Sequence, residues 1–227
     1  MDINLLKELQ QARAEKRQVV LATNLKSGHS TILHPFEESE LSDLKIDAQS
    51  ALSRDKPSEI ETKDGPVFLN IFNPPLRLFI IGAVHIAQKL APMATAAGYD
   101  VTVIDPRRSF GSDFRFPDVK LDDRWPDEAL KDLAPDRRSA VVTLTHDAKL
   151  DDPALEATLR SDVFYIGALG SNRTNGKRRE RLTQAGFTEQ EISRIHGPIG
   201  LDIGAQSPAE IAISIMAQLT ASLRGKE

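Results

Sequence analysis

The sequence predicts an α/β protein in which a doubly wound parallel sheet follows a small α+β domain. Strands that are apolar at almost every position, such as Leu76–Ile81, are typical of parallel sheets buried on both faces. These strands alternate with helical patterns, as the strand–helix–strand units of a doubly wound sheet require. The tandem prolines of Asn73-Pro74-Pro75 favour extended backbone without ladder hydrogen bonds. These prolines predict a domain boundary, with one domain over 1–73 and a second over 74–227.

The first domain combines two predicted helices with two strand pairs. Apolar side chains recur on one face of Ile3–Lys16, as in an amphipathic helix, and a second, short helix is expected over Glu37–Ala51. Asp64-Gly65 is a strong hairpin signal between two strand-like runs. The predicted strands of this antiparallel sheet are Val19–Asn24, Ser30–His34, Ile60–Thr62 and Pro66–Phe72.

The second domain alternates strands and helices up to its end. A first helix ends at Ala97, and Asp152-Pro153 has the residue types of a helix cap and first turn. Two further helices begin at the capping boxes of Thr188 and Ser207. The predicted strands are Leu76–Ile81, Asp100–Ile104, Ala140–Thr145 and Val163–Ile166. Ligands of such sheets bind beyond the carboxyl ends of the strands.

The composition narrows the classes of function. The chain is 40% hydrophobic and 27% charged, and it contains no cysteine. Thiolate metal ligation, disulfides and a cysteine nucleophile are therefore excluded. A net charge of −4 argues against a nucleic-acid partner, and no segment approaches the roughly 20 apolar residues that span a bilayer. We expect a soluble, cytoplasmic protein that binds neither nucleic acid nor membrane.

The turn after the first parallel strand is a candidate phosphate-binding turn. Gly82-Ala83-Val84-His85, followed by Ala87, comes close to the G-x-G-x-x-A fingerprint of Rossmann-like domains. Val84 replaces the middle glycine, whose bare backbone normally approaches a pyrophosphate, so the usual dinucleotide pose should be hindered. A nucleotide-binding turn and a plain strand–helix turn both stay open. His85 lies at the predicted helix start, where the positive end of the helix dipole disfavours a charged imidazole. Its neutral ring could hydrogen-bond a ligand, or it could contact only backbone and water.

Asp105 closes the second strand about 20 residues after Gly82, near the spacing at which an acidic residue accepts hydrogen bonds from a ribose. The alternative is that Asp105-Pro106 forms only a local turn. Arg107 and Arg108 follow directly, so a phosphate could also be bound there. His146-Asp147 ends another parallel strand, and because adjacent strand residues face opposite sides, at most one of them should point at a given ligand.

A second anion-binding loop is predicted around Gly170, Ser171 and Arg173. Small residues let backbone N–H groups approach an anion, and a guanidinium group binds phosphate oxygens in pairs. The basic run that follows can equally be a solvated helix face, and we expect Arg179 and Arg181 to lie at the surface. No residue is assigned a catalytic or metal-ligating role.

Successive segments of the second domain, in order, resemble the XdhC/CoxI family of molybdenum-hydroxylase accessory proteins. They are Ile81–Gln88, Val103–Arg107 with Arg115–Pro117, Leu144–Asp147, Tyr165–Thr174, Gly200–Ala205 and Ser207–Ala212. The match lies in the family's C-terminal Rossmann domain. The family's usual N-terminal domain has a Gly-Ser-Ser-Pro-Arg-like loop and a cysteine-bearing motif that residues 1–75 lack, so this chain resembles a shortened subtype.

The resemblance implies a binding factor more than an enzyme, with molybdenum cofactor as its cargo and xanthine dehydrogenase or a related molybdenum hydroxylase as its partner. It also implies that the Rossmann domain holds NAD(P) or another nucleotide, and that the protein forms a homodimer. Without cysteine, a cofactor site must use oxygen and nitrogen ligands, hydrogen bonds to the pterin, or phosphate contacts. Two alternatives stay open: an NAD(P)-dependent oxidoreductase with His146 or His85 as proton donor, and a nucleotide-sensing regulatory protein.

Overall fold

A computed structural model of the protein describes residues 3–37, 42–107 and 110–225. The chain divides into two compact units, Met1–Pro74 and Pro75–Glu227. The first unit contains a four-stranded antiparallel sheet and the second a six-stranded parallel sheet. The predicted α/β class, with an antiparallel sheet before a Rossmann-like sheet, is confirmed. No helix in the described ranges is long and apolar enough to cross a membrane.

The first unit packs one helix on each face of its sheet. Successive residues of a strand point to opposite faces, so Val19 packs with Leu9 of the first helix, whereas Val20 packs with Leu52 of the second. The predicted start of the second helix at Glu37 is wrong, because the Glu37 N–H donates to the carbonyl of His34 in a turn. The elements are α1 (Ile3–Ala14), β1 (Val19–Asn24), β2 (Ser30–Leu33), α2 (Lys45–Ser53), β3 (Ser58–Thr62) and β4 (Gly65–Phe72), with strand order β2-β1-β4-β3.

The second unit has the strand order β10-β9-β8-β5-β6-β7, and all its neighbouring strands are parallel. The chain winds outward from β5 to β7, crosses back to β8 and winds outward to β10. The order therefore reverses between β5 and β8, which is where open α/β sheets bind ligands. The strands are β5 (Leu76–Ile81), β6 (Tyr99–Ile104), β7 (Lys120–Asp122), β8 (Ser139–Thr143), β9 (Tyr165–Ala168) and β10 (Ile195–His196).

Helices cover both faces of this parallel sheet. Leu78 and Ile80 of β5 pack in one cluster with two helices, and Phe79 and Ile81 pack in a second cluster on the opposite face. This two-sided burial explains why every residue of β5 except Arg77 is apolar. The helices are α3 (His85–Ala96) and α8 (Pro208–Leu223) on the first face, α4 (Pro126–Leu133), α5 (Ala148–Leu159) and α6 (Asn172–Gln184) on the second, and the short α7 (Glu189–Ile192).

Several predicted boundaries need correction. Asp152-Pro153 does not start a helix: α5 begins at Ala148, and Asp147 caps it by accepting a hydrogen bond from the Lys149 N–H at 3.0 Å. The strand predicted to reach Thr145 ends at Thr143. The next strand lies two residues later than predicted, and α4, β7 and β10 were not predicted from the sequence. The capping boxes of Thr188 and Ser207 are both confirmed.

Candidate functional site

The loops after β5 and β8 meet at the point where the strand order reverses. Gly82 has a φ of +106°, and a Cβ atom added there would lie 2.5 Å from Cγ2 of Thr145. Both the backbone conformation and the close approach therefore require glycine. The two loops are thus packed directly on each other, and the remaining space at this edge of the sheet lies on either side of the contact.

On one side, Asp105 and Arg107 form a closed pair. The Asp105 carboxylate accepts hydrogen bonds from Nε and NH2 of Arg107 at 2.9 and 2.8 Å, and from the Arg107 backbone N–H at 3.0 Å. It also accepts from the Ala83 N–H at 2.8 Å. Burial alone would raise the pKa of Asp105, but the Arg107 guanidinium and the two backbone donors outweigh it and lower the pKa below its usual value. The carboxylate therefore stays charged.

This pairing affects three residues that were predicted to contact a ligand. A ribose hydroxyl could reach the carboxylate of Asp105 only by displacing Arg107, and the Ala83 N–H is already used by Asp105. In the structure Ala83, Asp105 and Arg107 hold the Gly82 turn in place. Their contact with a ligand stays a prediction. Arg108 lies outside the described residues. The adjoining cavity has a volume of about 560 Å³, and no basic side chain is among its described lining residues, so these offer a phosphate no cationic partner. Its lining residues are Ala83, Val103, Asp105, Gly111, Leu121, Asp122 and Asp123.

Val84 and His85 differ in their exposure. Val84 is the N-cap residue of α3, in extended conformation, and is partly buried against the hydrophobic cluster beneath it. His85 is the first residue of α3 and is exposed. No hydrogen-bond partner of the His85 ring is found in the described ranges. The ring is therefore available to a ligand or to water, and both predicted roles stay open.

On the other side of the contact between Gly82 and Thr145, His146 and Asp147 have different roles. Asp147 is committed to capping α5. His146 is exposed, has a φ of +61°, and lines a pocket next to the start of α6. Thr145, which packs on Gly82, donates through Oγ1 to the buried carboxylate of Asp151 at 2.7 Å. One residue of the His146-Asp147 pair thus faces the pocket and the other stabilises the helix.

This pocket, which we call the cationic pocket, has a volume of about 170 Å³. Arg173, Lys177 and Arg181 are spaced by four residues along α6 and therefore share one face of the helix. Arg181 forms a two-point ion pair with Asp152, at 2.5 and 2.9 Å. Arg173 and Lys177 have no hydrogen-bond or ion-pair partner within the described ranges. The lining residues are His146, Ala148, Asp151, Arg173, Thr174, Lys177, Arg178 and Arg181.

Arg178 and Asp151 form a buried pair in the wall of the cationic pocket. Their side chains are 3% and 1% exposed, and NH2 of Arg178 lies 3.4 Å from Oδ2 of Asp151. Arg178 also donates to the side chain of Asn175 and to the carbonyl of Leu169, but its buried Nε has no partner among the described residues. Burial raises the pKa of Asp151, and the hydrogen bond from Thr145 and the charge of Arg178 offset this only in part.

The predicted Gly170 loop positions α6. Gly170 has a φ of +140°, and Ser171 caps the helix by accepting from the Thr174 N–H at 3.2 Å. Asn175 ties the loop to the helix by donating to the Gly170 carbonyl at 3.0 Å. Of the predicted loop residues, Arg173 lines the pocket, whereas Gly170 and Ser171 shape the turn beside it.

Of the eight lining residues, His146 and Arg173 were predicted as site residues and the other six were not, among them the charged residues Asp151, Lys177 and Arg178. The sequence carried a signal for Lys177, because it follows Arg173 by four residues and so shares its helix face. No comparable signal marks Arg178 or Asp151, since their role depends on burial in the folded unit.

Arg181 was expected to lie at the surface, and the structure adds that it also lines the cationic pocket. Its side chain is 41% exposed, lines the cationic pocket and is held by Asp152. Arg179 is also partly exposed, and it pairs with Glu189 of α7 on the outside of the unit. Within the described residues, no group of three or more histidine and carboxylate side chains is arranged to hold a metal ion.

Comparison with known proteins identifies the second unit. Residues 78–219 match the family model of the XdhC Rossmann domain. The chain belongs to this family. The predicted resemblance is thereby confirmed, and the matched residues of this XdhC chain include both the Gly82 turn and the cationic pocket.

Two curated relatives of this XdhC chain carry informative names. Molybdenum cofactor insertion chaperone PaoD of Escherichia coli (strain K12) is 32% identical over 153 residues, covering 67% of this chain and 42% of that protein. A Bacillus subtilis (strain 168) protein, named as a probable subunit of xanthine dehydrogenase, is 31% identical over 155 residues, covering 67% of this chain and 44% of that protein. The chain thus matches less than half the length of either relative.

A solved structure shows the same fold. A crystal structure described as a xanthine dehydrogenase from Bacillus halodurans has a TM-score of 0.70 to this XdhC chain at 24% identity. The alignment covers 99% of this chain and 69% of that one. At this level of identity the likeness supports the fold alone.

Proposed function

We propose that this XdhC protein is a binding and delivery factor that holds molybdenum cofactor as cargo during maturation of xanthine dehydrogenase or a related molybdenum hydroxylase. Membership of the XdhC family and the name of the relative PaoD support the class of cargo. The name of the Bacillus subtilis relative supports the class of client enzyme. A homodimer in the cytoplasm is part of the proposal, and light scattering of the purified protein tests its oligomeric state.

The observation that carries the proposal is the pair of unpartnered cations in the cationic pocket. Arg173 and Lys177 lie at the carboxyl edge of the parallel sheet, where this type of fold binds ligands, and no described residue neutralises them. Guanidinium and ammonium groups bind phosphate oxygens through charge-assisted hydrogen bonds. The pterin of molybdenum cofactor carries a phosphate, so the pocket fits that part of the cargo.

The rest of the cargo would be held without a thiolate bond to molybdenum, because the chain has no cysteine. Oxygen and nitrogen groups around the pocket are the available contacts, and His146 is an exposed example. This predicts that the pterin and its phosphate, and not a metal–protein bond, dominate the binding.

A pyridine-nucleotide oxidoreductase is less well supported. Val84 stands where a dinucleotide fold normally has glycine, and Asp105 is already bonded to Arg107. Mixing the protein with NADH and candidate acceptors while following absorbance separates an enzyme from a binding protein. Steady oxidation of NADH by the wild type, lost in variants of His146 or His85, would replace our proposal with the oxidoreductase.

The direct test is transfer of cofactor. The protein, produced in cells that make molybdenum cofactor, should carry pterin detectable by mass spectrometry and should activate a cofactor-free molybdenum hydroxylase. The double variant Arg173→Gln, Lys177→Gln should lose most of this bound pterin. Lys131→Gln, which changes an exposed lysine on α4 outside the pocket, is the matched control. Equal pterin content in all three proteins would refute the proposed site, and absence of transfer by the wild type would refute the function.

A further inference from the structure

Helix α6 begins with charges that oppose its own dipole. The amino end of a helix is partially positive and favours anions, yet Arg173 and Lys177 occupy the first two turns and no acidic residue lies in the first turn. Their four-residue spacing also sets two like charges side by side, which destabilises an isolated helix. In contrast, α7 carries two glutamates in its first turn and α8 carries one. The arrangement in α6 becomes favourable when an anion lies between the cations and the helix end.

The wall of the pocket gives a second, independent observation. The Nε of Arg178 is buried without an acceptor among the described residues, while its terminal nitrogens bond Asn175 and Leu169. A buried donor that lacks an acceptor costs more than a satisfied one contributes. Arg178 lines the same pocket as Arg173 and Lys177. Because this atom is closed to solvent, an anion or an anion-bound water can supply the missing acceptor only when the Arg178 side chain shifts towards the pocket on binding.

The charges define the kind of anion. Arg178 and Arg181 are balanced by their partners Asp151 and Asp152, which leaves the two positive charges of Arg173 and Lys177. A phosphate monoester carries a charge of about −1.5 to −2 at neutral pH and so matches both. A phosphodiester carries a single negative charge and leaves one cation unbalanced.

The size of the pocket defines how much of the ligand enters. A volume of about 170 Å³ is well below the roughly 300–1,000 Å³ of sites that enclose a whole small molecule. The pocket therefore takes an end group, and the remainder of the ligand lies outside it. We infer that the cationic pocket is a site for a terminal phosphate monoester, contacted by Arg173 and Lys177 and positioned by the Asp151–Arg178 pair.

This inference rests on the proposed function for the identity of the cargo, and it narrows that cargo. It selects the form of molybdenum cofactor whose pterin phosphate is terminal. In a dinucleotide form the same phosphate is bridged to a nucleotide, so it has lost both the second negative charge and the free end that the pocket accepts.

Two small probes test the site without the cofactor. Methyl phosphate and dimethyl phosphate, titrated into the whole protein at equal ionic strength, differ in charge and in the number of ester bonds. We expect methyl phosphate to bind at least tenfold more tightly than dimethyl phosphate by calorimetry or thermal shift. Arg173→Gln and Lys177→Gln should each weaken methyl phosphate binding about tenfold, as the loss of one charge-assisted contact predicts. Lys131→Gln should leave it unchanged.

The outcomes separate the site from the function. Equal binding of the two probes, no binding of methyl phosphate, or binding that survives both substitutions in α6 would overturn the inference even if the protein delivers cofactor. Selective methyl phosphate binding that depends on Arg173 and Lys177 would support it even if cofactor transfer failed. Circular dichroism of each variant identifies any loss of fold, and the two single substitutions on the exposed side of α6 provide independent tests.

Discussion

The two halves of the carboxyl edge of the parallel sheet differ in whether their charged side chains are paired. Just after β6, Asp105 is neutralised by Arg107, and at the last residue of β7, Asp122 is neutralised by Arg124 in the same geometry. In each pair the arginine backbone N–H and Nε donate to one carboxylate oxygen, and its NH2 donates to the other. On the far side of β8, in contrast, the cations of α6 at Arg173 and Lys177 have no such partner in the described ranges.

This difference teaches which charged residues are structural. An Asp-x-Arg sequence at the end of a strand closes on itself within a turn, so its charges are used up locally and its pKa shift reports an internal anchor. A four-residue spacing of basic residues on a helix sets like charges together and leaves them open. The open half is therefore the better candidate for binding an anion, although the closed half carries the more familiar sequence fingerprint.

The largest effect should come from the buried pair that supports the open half. Arg178→Met should lower the free energy of unfolding of the second unit by about 3–5 kcal/mol, because it leaves the buried carboxylate of Asp151 uncompensated. Urea unfolding followed by the fluorescence of Trp125, the only tryptophan, measures it. Arg107→Met is the comparison, and its loss should be smaller because the Asp105 carboxylate keeps the backbone N–H donors of Ala83 and residue 107.

A second substitution shows whether charge is the cause. Adding Asp151→Asn to Arg178→Met removes the unpaired charge while an oxygen stays available to Thr145. The double variant should be more stable than Arg178→Met alone. If Asp151→Asn destabilises Arg178→Met as much as it destabilises the wild type, the two side chains act independently. The buried pair then does not hold the pocket wall.

Much of the parallel unit could be predicted from the sequence. β5 is apolar at almost every position because both of its faces are buried, and the capping boxes at Thr188 and Ser207 mark helix starts through local hydrogen bonds. β7 and β10 could not be predicted, since strands of three and two residues are too short to show a period. The start of α5 was placed too late because Asp152-Pro153 imitates a cap, whereas Asp152 pairs with Arg181.

The candidate site was predicted only in part, for a different physical reason. Gly82, His146 and Arg173 were found from their places after strands, since the ends of parallel strands meet at one edge. The pairing of Asp105 with Arg107 and the burial of Arg178 depend on how side chains pack in three dimensions. Sequence distance alone does not distinguish an aspartate that binds ribose from one that binds its neighbour.

The next largest effect concerns ligand binding. Arg173→Ala should weaken binding of a phosphate-bearing ligand by about 1.5–3 kcal/mol, as expected for the loss of a charge-assisted hydrogen bond. Arg181→Ala should weaken it less, because Asp152 already engages that guanidinium at two points. Calorimetry on both variants measures the difference. Equal losses of affinity would mean that the ion pair with Asp152 does not reduce the contribution of Arg181 to ligand binding.

The two buried carboxylates should respond to pH in opposite directions. The pKa of Asp105 is lowered, so it stabilises the fold above the ordinary value of 3.8, and this contribution disappears as the pH falls through its folded pKa. The pKa of Asp151 is raised by burial, so its ionisation costs stability as the pH rises from 3.8 towards its folded pKa. The stability advantage of the wild type over Asp105→Asn should therefore grow with pH across the acid range. Its advantage over Asp151→Asn should shrink as pH rises, and parallel curves would contradict this assignment.

The smallest effect is expected at Val84, within the closed half. Its side chain has a branched Cβ where a dinucleotide fold has glycine, so we expect the wild type to bind NAD weakly or not at all in the standard pose. Val84→Gly should improve NAD binding, although only modestly while Arg107 still occupies Asp105. Glycine is tolerated well at an N-cap but loses the packing of Val84 on the core cluster, so the change in stability should stay within about 1 kcal/mol.

Val84→Ala keeps Cβ and removes only the branch, so its affinity for NAD should fall between those of the wild type and Val84→Gly. Calorimetric titration at fixed ionic strength measures NAD, and methyl phosphate serves as a control that should be unaffected, because Val84 does not line the cationic pocket. Tight binding of NAD by the wild type, abolished or unchanged by Val84→Gly, would show that the Gly82 turn accepts a pyrophosphate after all and that the closed half of the edge is a ligand site.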